Sequence, residues 1–201
     1  MPTKTFLNLP KEKRIKILKG AKTEFSRVCV DKAVIANISI EAEIPRGSFY
    51  QYFFSVADLY VYLIEYLYEV EKKKFELYLQ ENNNDVYLAL KVKFSKKIEK
   101  LSKAVNKQLE INNRTYFLNI TLYSPDVLKY IIEKNNQLDI NIFPEEFRNV
   151  QNFDKFLSLI QGLNEYCIEM FIKDCFSANE IIEYYNNNID FIKYSISLIY
   201  S

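Results

Sequence analysis

The residues best equipped for recognition chemistry lie in one run of seven, Arg46-Gly47-Ser48-Phe49-Tyr50-Gln51-Tyr52. A guanidinium such as that of Arg46 pairs with a phosphate or with the edge of a guanine. The hydroxyl of Ser48 can donate to a base edge or to phosphate. Those of Tyr50 and Tyr52 can reach phosphate oxygens while their rings pack. The Gln51 amide matches the edge of an adenine. Gly47 carries no Cβ, so another backbone can come close. Phe49 and Phe53 have nothing to donate and are expected to be core.

Composition excludes several other chemistries, though a lysine or carboxylate enzyme stays open. The 201 residues include no histidine. That removes Ser-His-Asp triads, Cys-His dyads, histidine acid–base work and histidine metal sites. Three glycines, Gly20, Gly47 and Gly162, cannot build a phosphate-cradling loop. Cys29, Cys167 and Cys175 are odd in number and form no C-x-x-C, so neither a disulfide framework nor a zinc knuckle is indicated. No enzyme activity, metal or cofactor is expected. The charge is uneven. Residues 1–54 hold ten Lys and Arg against five Asp and Glu, whereas residues 55–201 hold 17 against 21. A basic head on an acidic body points to a polyanionic partner for the head.

Scarce glycine and long periodic segments predict an all-helical protein. A first helix is expected from about Lys11 to Arg27, with Ile15, Leu18, Ala21 and Phe25 on one face. A short second helix runs from about Val34 to Ala42, with Val34, Ile35, Ile38 and Ala42 inward. A third runs from Pro45 to about Phe53, Pro45 suiting its first turn. A fourth begins near Ser55 and continues to about Glu81, with Leu59, Leu63, Tyr66, Leu67, Val70 and Phe75 apolar. Asn82-Asn83-Asn84-Asp85 reads as a break. A helix from Val86 to about Gln108 follows, with Lys93, Lys96, Lys97, Lys100 and Lys103 on a solvated face. Asn112 to Leu122 reads as helix, as does Pro125 to about Glu133 behind a Ser124 cap. Asn135 to Asn141 reads as loop, and Phe143-Pro144 as a further turn of helix. Two strong helices close the chain, about 153–174 and 178–200. The last opens on Ser177-Ala178-Asn179-Glu180, the spacing of a capping box.

Two short helices joined by a tight turn, behind a longer one, make a helix-turn-helix. Ile17 to Leu59 resembles, without a gap, the N-terminal domain of the TetR family of bacterial transcriptional regulators. The family's I-L-x-A-A-x-x-L-F appears as Ile17-Leu18-Lys19-Gly20-Ala21-Lys22-Thr23-Glu24-Phe25. Its I-A-x-x-A-G-V-S-K-G-T-L-Y-x-Y-F appears as Ile38 through Phe53, ending Gly47-Ser48-Phe49-Tyr50-Gln51-Tyr52-Phe53. A K-x-D-L-like start of the next helix appears as Val56-Ala57-Asp58-Leu59. The departures are specific. Glu43 stands at the usual turn glycine, where a left-handed or strained backbone is expected. Pro45 replaces a Ser, Cys29 a Gly, Ala33 a capping Thr and Val56 a Lys.

The resemblance implies a three-helix DNA-binding domain over 1–54 and a helical ligand-binding and dimerisation domain over 55–201. The third helix would enter the major groove of double-stranded DNA. Arg46, Gly47, Ser48, Tyr50, Gln51 and Tyr52 would make the contacts, with Asn37 and Lys32 on the flanking backbone. Lys4 and Lys13 are weaker candidates. A homodimer is implied, its last two helices forming a four-helix bundle with their copies, so that two reading helices meet a palindromic operator. A pocket for a small effector between helices of the body is implied too, and the richness in aromatics would suit a hydrophobic or planar one. Tyr66, Phe94, Tyr116, Phe117, Tyr123, Tyr166 and Phe171 are candidate lining residues, each also suited to an ordinary core. No stretch is apolar enough to span a membrane and no secretory leader is visible, so a cytoplasmic protein is expected. A DNA-organising protein and a bundle without DNA binding stay open as alternatives.

Overall fold

In a computed structural model, the described residues are 2–123, Phe143 and 153–200. Side chains of 116–123, 154 and 199–200 are not described. The helix expected after Ser124, the loop at 135–141 and the turn at Pro144 lie outside these residues.

All regular structure among the described residues is helical. The chain order is α1 (Lys4–Leu7), α2 (Lys11–Arg27), a 3-10 turn (Val30–Lys32), α3 (Ile35–Glu41), α4 (Arg46–Tyr52), α5 (Val56–Glu81), α6 (Val86–Leu101), α7 (Ala104–Tyr123), α8 (Phe153–Ile172) and α9 (Ala178–Tyr200). The chain gathers into two compact units. The first takes in Met1–Glu71 and Ala104–Tyr130, the second Lys72–Lys103 and Ile131–Ser201.

The first unit closes over Phe6, Ile17, Leu18, Ala21, Phe25, Ile38, Phe49, Phe53, Leu59 and Tyr60, all buried. Its compact body extends past residue 54 into α5 and also takes in α7, whose Leu109 joins the same core. Three details differ from the sequence reading. The inward stripe of α2 runs through Ile17, while Ile15 is exposed. Val34, expected inward, is exposed as the residue before α3. Helix α1 stands where no element was expected. Thr3 caps it, its hydroxyl accepting from the Phe6 amide at 3.3 Å.

The α2–α3 approach is close at Gly20. A Cβ placed there would lie 2.8 Å from the Ile38 carbonyl oxygen and 3.0 Å from the Ala42 nitrogen. Only a glycine lets the two helices sit at this spacing. Helix α3 ends in a Schellman motif. The Glu43 amide donates to Ile40 and the Ile44 amide to Ser39. Glu43 occupies the left-handed position at φ 55°, as its place in the turn predicts.

The second unit packs α6 against α9 and α8 against α9. Its core holds Phe75, Leu79, Ala89, Phe94, Ile98, Phe156, Ile160, Cys167, Ile168, Ile181, Tyr185 and Ile189. Asn83 and Asn84 both take positive φ in the loop after α5, a conformation asparagine tolerates better than most residues. Asp85 then caps α6, accepting from the Leu88 amide at 3.0 Å. The helix expected to run from Val86 to Gln108 is interrupted. It stops at Leu101, and the Ser102 hydroxyl turns back onto the Ile98 carbonyl at 2.9 Å. A serine that bonds four residues back competes with the backbone ladder. The capping box before α9 is formed. The Ser177 amide donates to the Glu180 carboxylate at 2.8 Å, and the Glu180 amide to the Ser177 hydroxyl at 3.3 Å.

Candidate nucleic-acid interface

Seven residues make two turns of helix, too few to be stable alone. Helix α4 is therefore held by what it buries. Phe49, Tyr52 and Phe53, spaced three and four apart, point into the core of the first unit. The residues between them point out. Arg46, Gly47, Tyr50 and Gln51 are exposed, Ser48 is half-buried, and Tyr50 keeps 57% of its surface. The Tyr50 ring leans edge-on against Phe49 at 5.6 Å between centroids, so its hydroxyl end is carried on a packed base. Nothing of the protein would meet a Cβ at Gly47 within 4 Å. The space in front of that residue is open to another molecule.

Two of the expected contact residues sit differently from the rest. Tyr52 is only 4% exposed, and its ring lies edge-on to Phe6 at 6.2 Å. Its ring belongs to the core, unlike that of Tyr50. Asn37 donates its amide to both oxygens of Glu24, at 3.1 and 3.2 Å. Lys32 is exposed at the end of the 3-10 turn. Lys4 and Lys13 are exposed as well.

Sequence reasoning missed three residues that build this face. Glu24 is buried in α2, yet it receives Arg27 at 2.9 and 2.7 Å, the Val34 amide at 2.9 Å, and Asn37. Burial pushes its carboxyl up, but the bonds from Arg27, Val34 and Asn37 outweigh that and hold it below the usual carboxylate range. Glu24 thus gathers polar groups at the start of α3, whose N-cap residue, Val34, offers no side-chain cap of its own. A lone Glu on an apolar face was the available signal.

Lys16 pairs with Glu43 across the α2–turn junction, both side chains solvent-facing. Lys16, as donor and then as a nearby charge, lowers the Glu43 carboxyl below its ordinary range. The acidic group in the turn therefore stands on the outer face with a lysine counter-charge beside it. The third residue is Thr3. Its amide donates to the Tyr52 carbonyl at 2.9 Å and its hydroxyl to the Gln51 carbonyl at 2.6 Å.

The aromatic residues named for an effector pocket do not share one environment. Tyr66 is exposed on α5, in the first unit. In the second unit, Phe94 and Phe171 are buried and Tyr166 is exposed. The Phe94 ring stacks on Tyr185 at 3.9 Å and 10°, which is core packing. The side chains of Tyr116, Phe117 and Tyr123 lie outside the described residues. A shallow hollow of about 330 Å³ is found elsewhere, beside the turn, lined by Pro10, Glu12, Lys13, Lys16, Ala42, Glu43 and Ile44. Among the described residues no cluster of three or more metal-ligating side chains occurs, and no helix is long and apolar enough to cross a membrane.

No protein-family model matches the sequence. No curated protein matches it either. Among solved structures, the chain is similar to a TetR family transcriptional regulator from Chloroflexus aurantiacus J-10-FL. The identity is 19%, the match covers 98% of this chain and 96% of that one, and the TM-score is 0.42.

Proposed function

We propose that this chain is a TetR-type DNA-binding transcriptional regulator, a homodimeric repressor released from a palindromic operator by a small effector. The carrying observation is the division of labour on α4. Phe49, Tyr52 and Phe53 seat the helix, while Arg46, Tyr50 and Gln51 face outward beside an unobstructed Gly47. A helix with that profile fits the major groove, and the Gly47-to-Phe53 run is the most specific part of the family resemblance.

Arg46 and Ser48 are assigned to phosphate or base edges, Tyr50 to phosphate, and Gln51 to a base edge. Lys32 meets the flanking backbone. Tyr52 contributes through its seat in the core, and Asn37 through its hold on Glu24. The basic excess of residues 1–54 supplies the salt-sensitive part of the affinity. That reading implies a cytoplasmic protein.

A second copy would cover the outer face of α8 and α9. Leu159 and Tyr166 on α8, and Tyr184, Phe191, Tyr194 and Leu198 on α9, are large and exposed. The α9 positions follow spacings of seven, three and four, one side of a helix. Patches of this kind mark interaction surfaces. Effector release then needs a state with displaced reading helices, which the effector binds more tightly than the DNA-competent state.

Mixing the protein with duplex DNA from upstream of its own coding sequence tests the reading. A salt-sensitive shift at one palindromic sequence, lost in R46A, is expected. Equal affinity for random DNA would favour a DNA-organising protein, and no binding at any salt would sink the proposal.

A further inference from the structure

The end of the reading helix is held from outside the helix-turn-helix. The last carbonyls of an α-helix have no partner inside it. In α4 two of these, Gln51 and Tyr52, are taken by a single residue 48 and 49 positions earlier. Thr3 donates its hydroxyl to Gln51 and its amide to Tyr52. The same hydroxyl accepts from the Phe6 amide, so the bond to α4 and the cap of α1 share one oxygen. Behind it, Phe6 is fully buried, 4.7 Å from the Phe53 ring and 5.2 Å from Tyr62. Thr3 and Phe6 therefore form a polar and an apolar anchor on the C-terminal turn of α4, the turn that carries Tyr50 and Gln51.

We propose that Thr3 is a positioning residue for DNA recognition. It fixes the pitch and end of α4, and so determines sequence selectivity without touching DNA. This rests on α4 being the DNA-reading helix. The physical reason is the helix's length. Two turns cannot hold their own terminus, and Phe53 behind them is already extended. Without the Thr3 hydroxyl, the Gln51 carbonyl turns to solvent and the last turn frays. Gln51, the base-reading group of this turn, then loses its defined direction, while the phosphate-facing charges of the head keep theirs.

The test uses the full chain, in wild-type form and as Thr3→Val and Thr3→Ser. Valine keeps the shape and loses the hydroxyl; serine keeps the hydroxyl. Wild-type protein first selects a duplex from a random-sequence library. Affinities are then measured for that duplex and for a scrambled one. T3V should lose about 2- to 10-fold on the selected duplex, the worth of one hydrogen bond, and little on the scrambled one. T3S should restore the selectivity. Amide exchange at Tyr52 and Phe53 should quicken in T3V alone.

An unchanged ratio of the two affinities in T3V overturns the proposal. So does an equal loss on both duplexes, which a general loss of stability would give. Wild-type protein that selects no sequence would remove the reading-helix assignment itself. Thr3's hold on the helix end is then judged by exchange: faster exchange in T3V supports it and equal exchange refutes it.

Discussion

The side-chain amide of Asn112, in α7, donates to the main-chain carbonyl of Phe25 at 2.8 Å and to that of Ser26 at 3.1 Å. Those carbonyls belong to the final turn of α2, where the ladder ends. A residue far along the chain thus acts as a C-cap for the first long helix. Gln108 in turn donates to the Asn112 oxygen at 3.0 Å, and Lys22 reaches Asn106 at 2.8 Å. Helix α7 is fastened to α2 by these side chains as well as by Leu109.

Asn112→Leu should therefore destabilise the protein by about 1–3 kcal/mol, the cost of leaving buried carbonyls without donors. Asn112→Asp should be no better, since a carboxylate cannot donate to them. Urea unfolding followed by circular dichroism measures both. An N112L midpoint equal to wild type would mean that water takes over the two carbonyls.

Glu24 predicts a pH dependence. Its folded carboxyl lies below the usual value of 4.5. A depressed carboxyl stabilises the fold fully above the unfolded value, and the contribution fades as pH falls through the lower folded value. Glu24→Gln should cost about 1–3 kcal/mol at neutral pH, through the weakened bonds to Arg27. The gap between wild type and E24Q should narrow below the unfolded value. Stability measured at neutral pH and along the acid limb decides it; a gap constant with pH would contradict the assignment.

The three glycines are not equivalent, and two of them separate stability from recognition. Gly20→Ala places a methyl 2.8 Å from the Ile38 oxygen, so α2 and α3 must part. A loss of about 1–3 kcal/mol is expected from such overpacking. Gly47→Ala meets nothing within 4 Å. It should leave the fold intact or stabilise α4 by about 0.5–1 kcal/mol, because alanine is the better helix former. Operator affinity should nevertheless fall, since the methyl occupies the space a DNA backbone needs. Thermal melts and DNA titration of the same two variants check both halves.

Phe94→Ala distinguishes core from pocket. The ring is buried and stacked on Tyr185, so its removal should cost about 3–5 kcal/mol. A ring that merely lined an open effector site would cost far less. A denaturation midpoint near that of wild type would return Phe94 to the list of effector contacts.

Periodicity was enough to mark α2, α3, α5 and the closing pair, because each buries one face and the spacing of that face is local, while Pro45 marked the start of α4. The capping box at Ser177 was legible for the same reason, since a cap is settled within a few residues, whereas the left-handed turn at Glu43 was legible only through the family pattern. The outward groups of α4 were legible as a motif, and they turned out to lie opposite a seat made of Phe49 and Phe53. Partnerships across long stretches of chain were not legible. Thr3 meeting Gln51, Glu24 meeting Val34, Lys16 meeting Glu43 and Asn112 meeting Phe25 each join residues whose types suit many partners. Which one each takes depends on how the helices cross, and only the folded arrangement brings those atoms within bonding distance. Burial followed the same rule. Ile15 and Ile17 are alike in composition, but the crossing of α2 with its neighbours turns one outward and encloses the other.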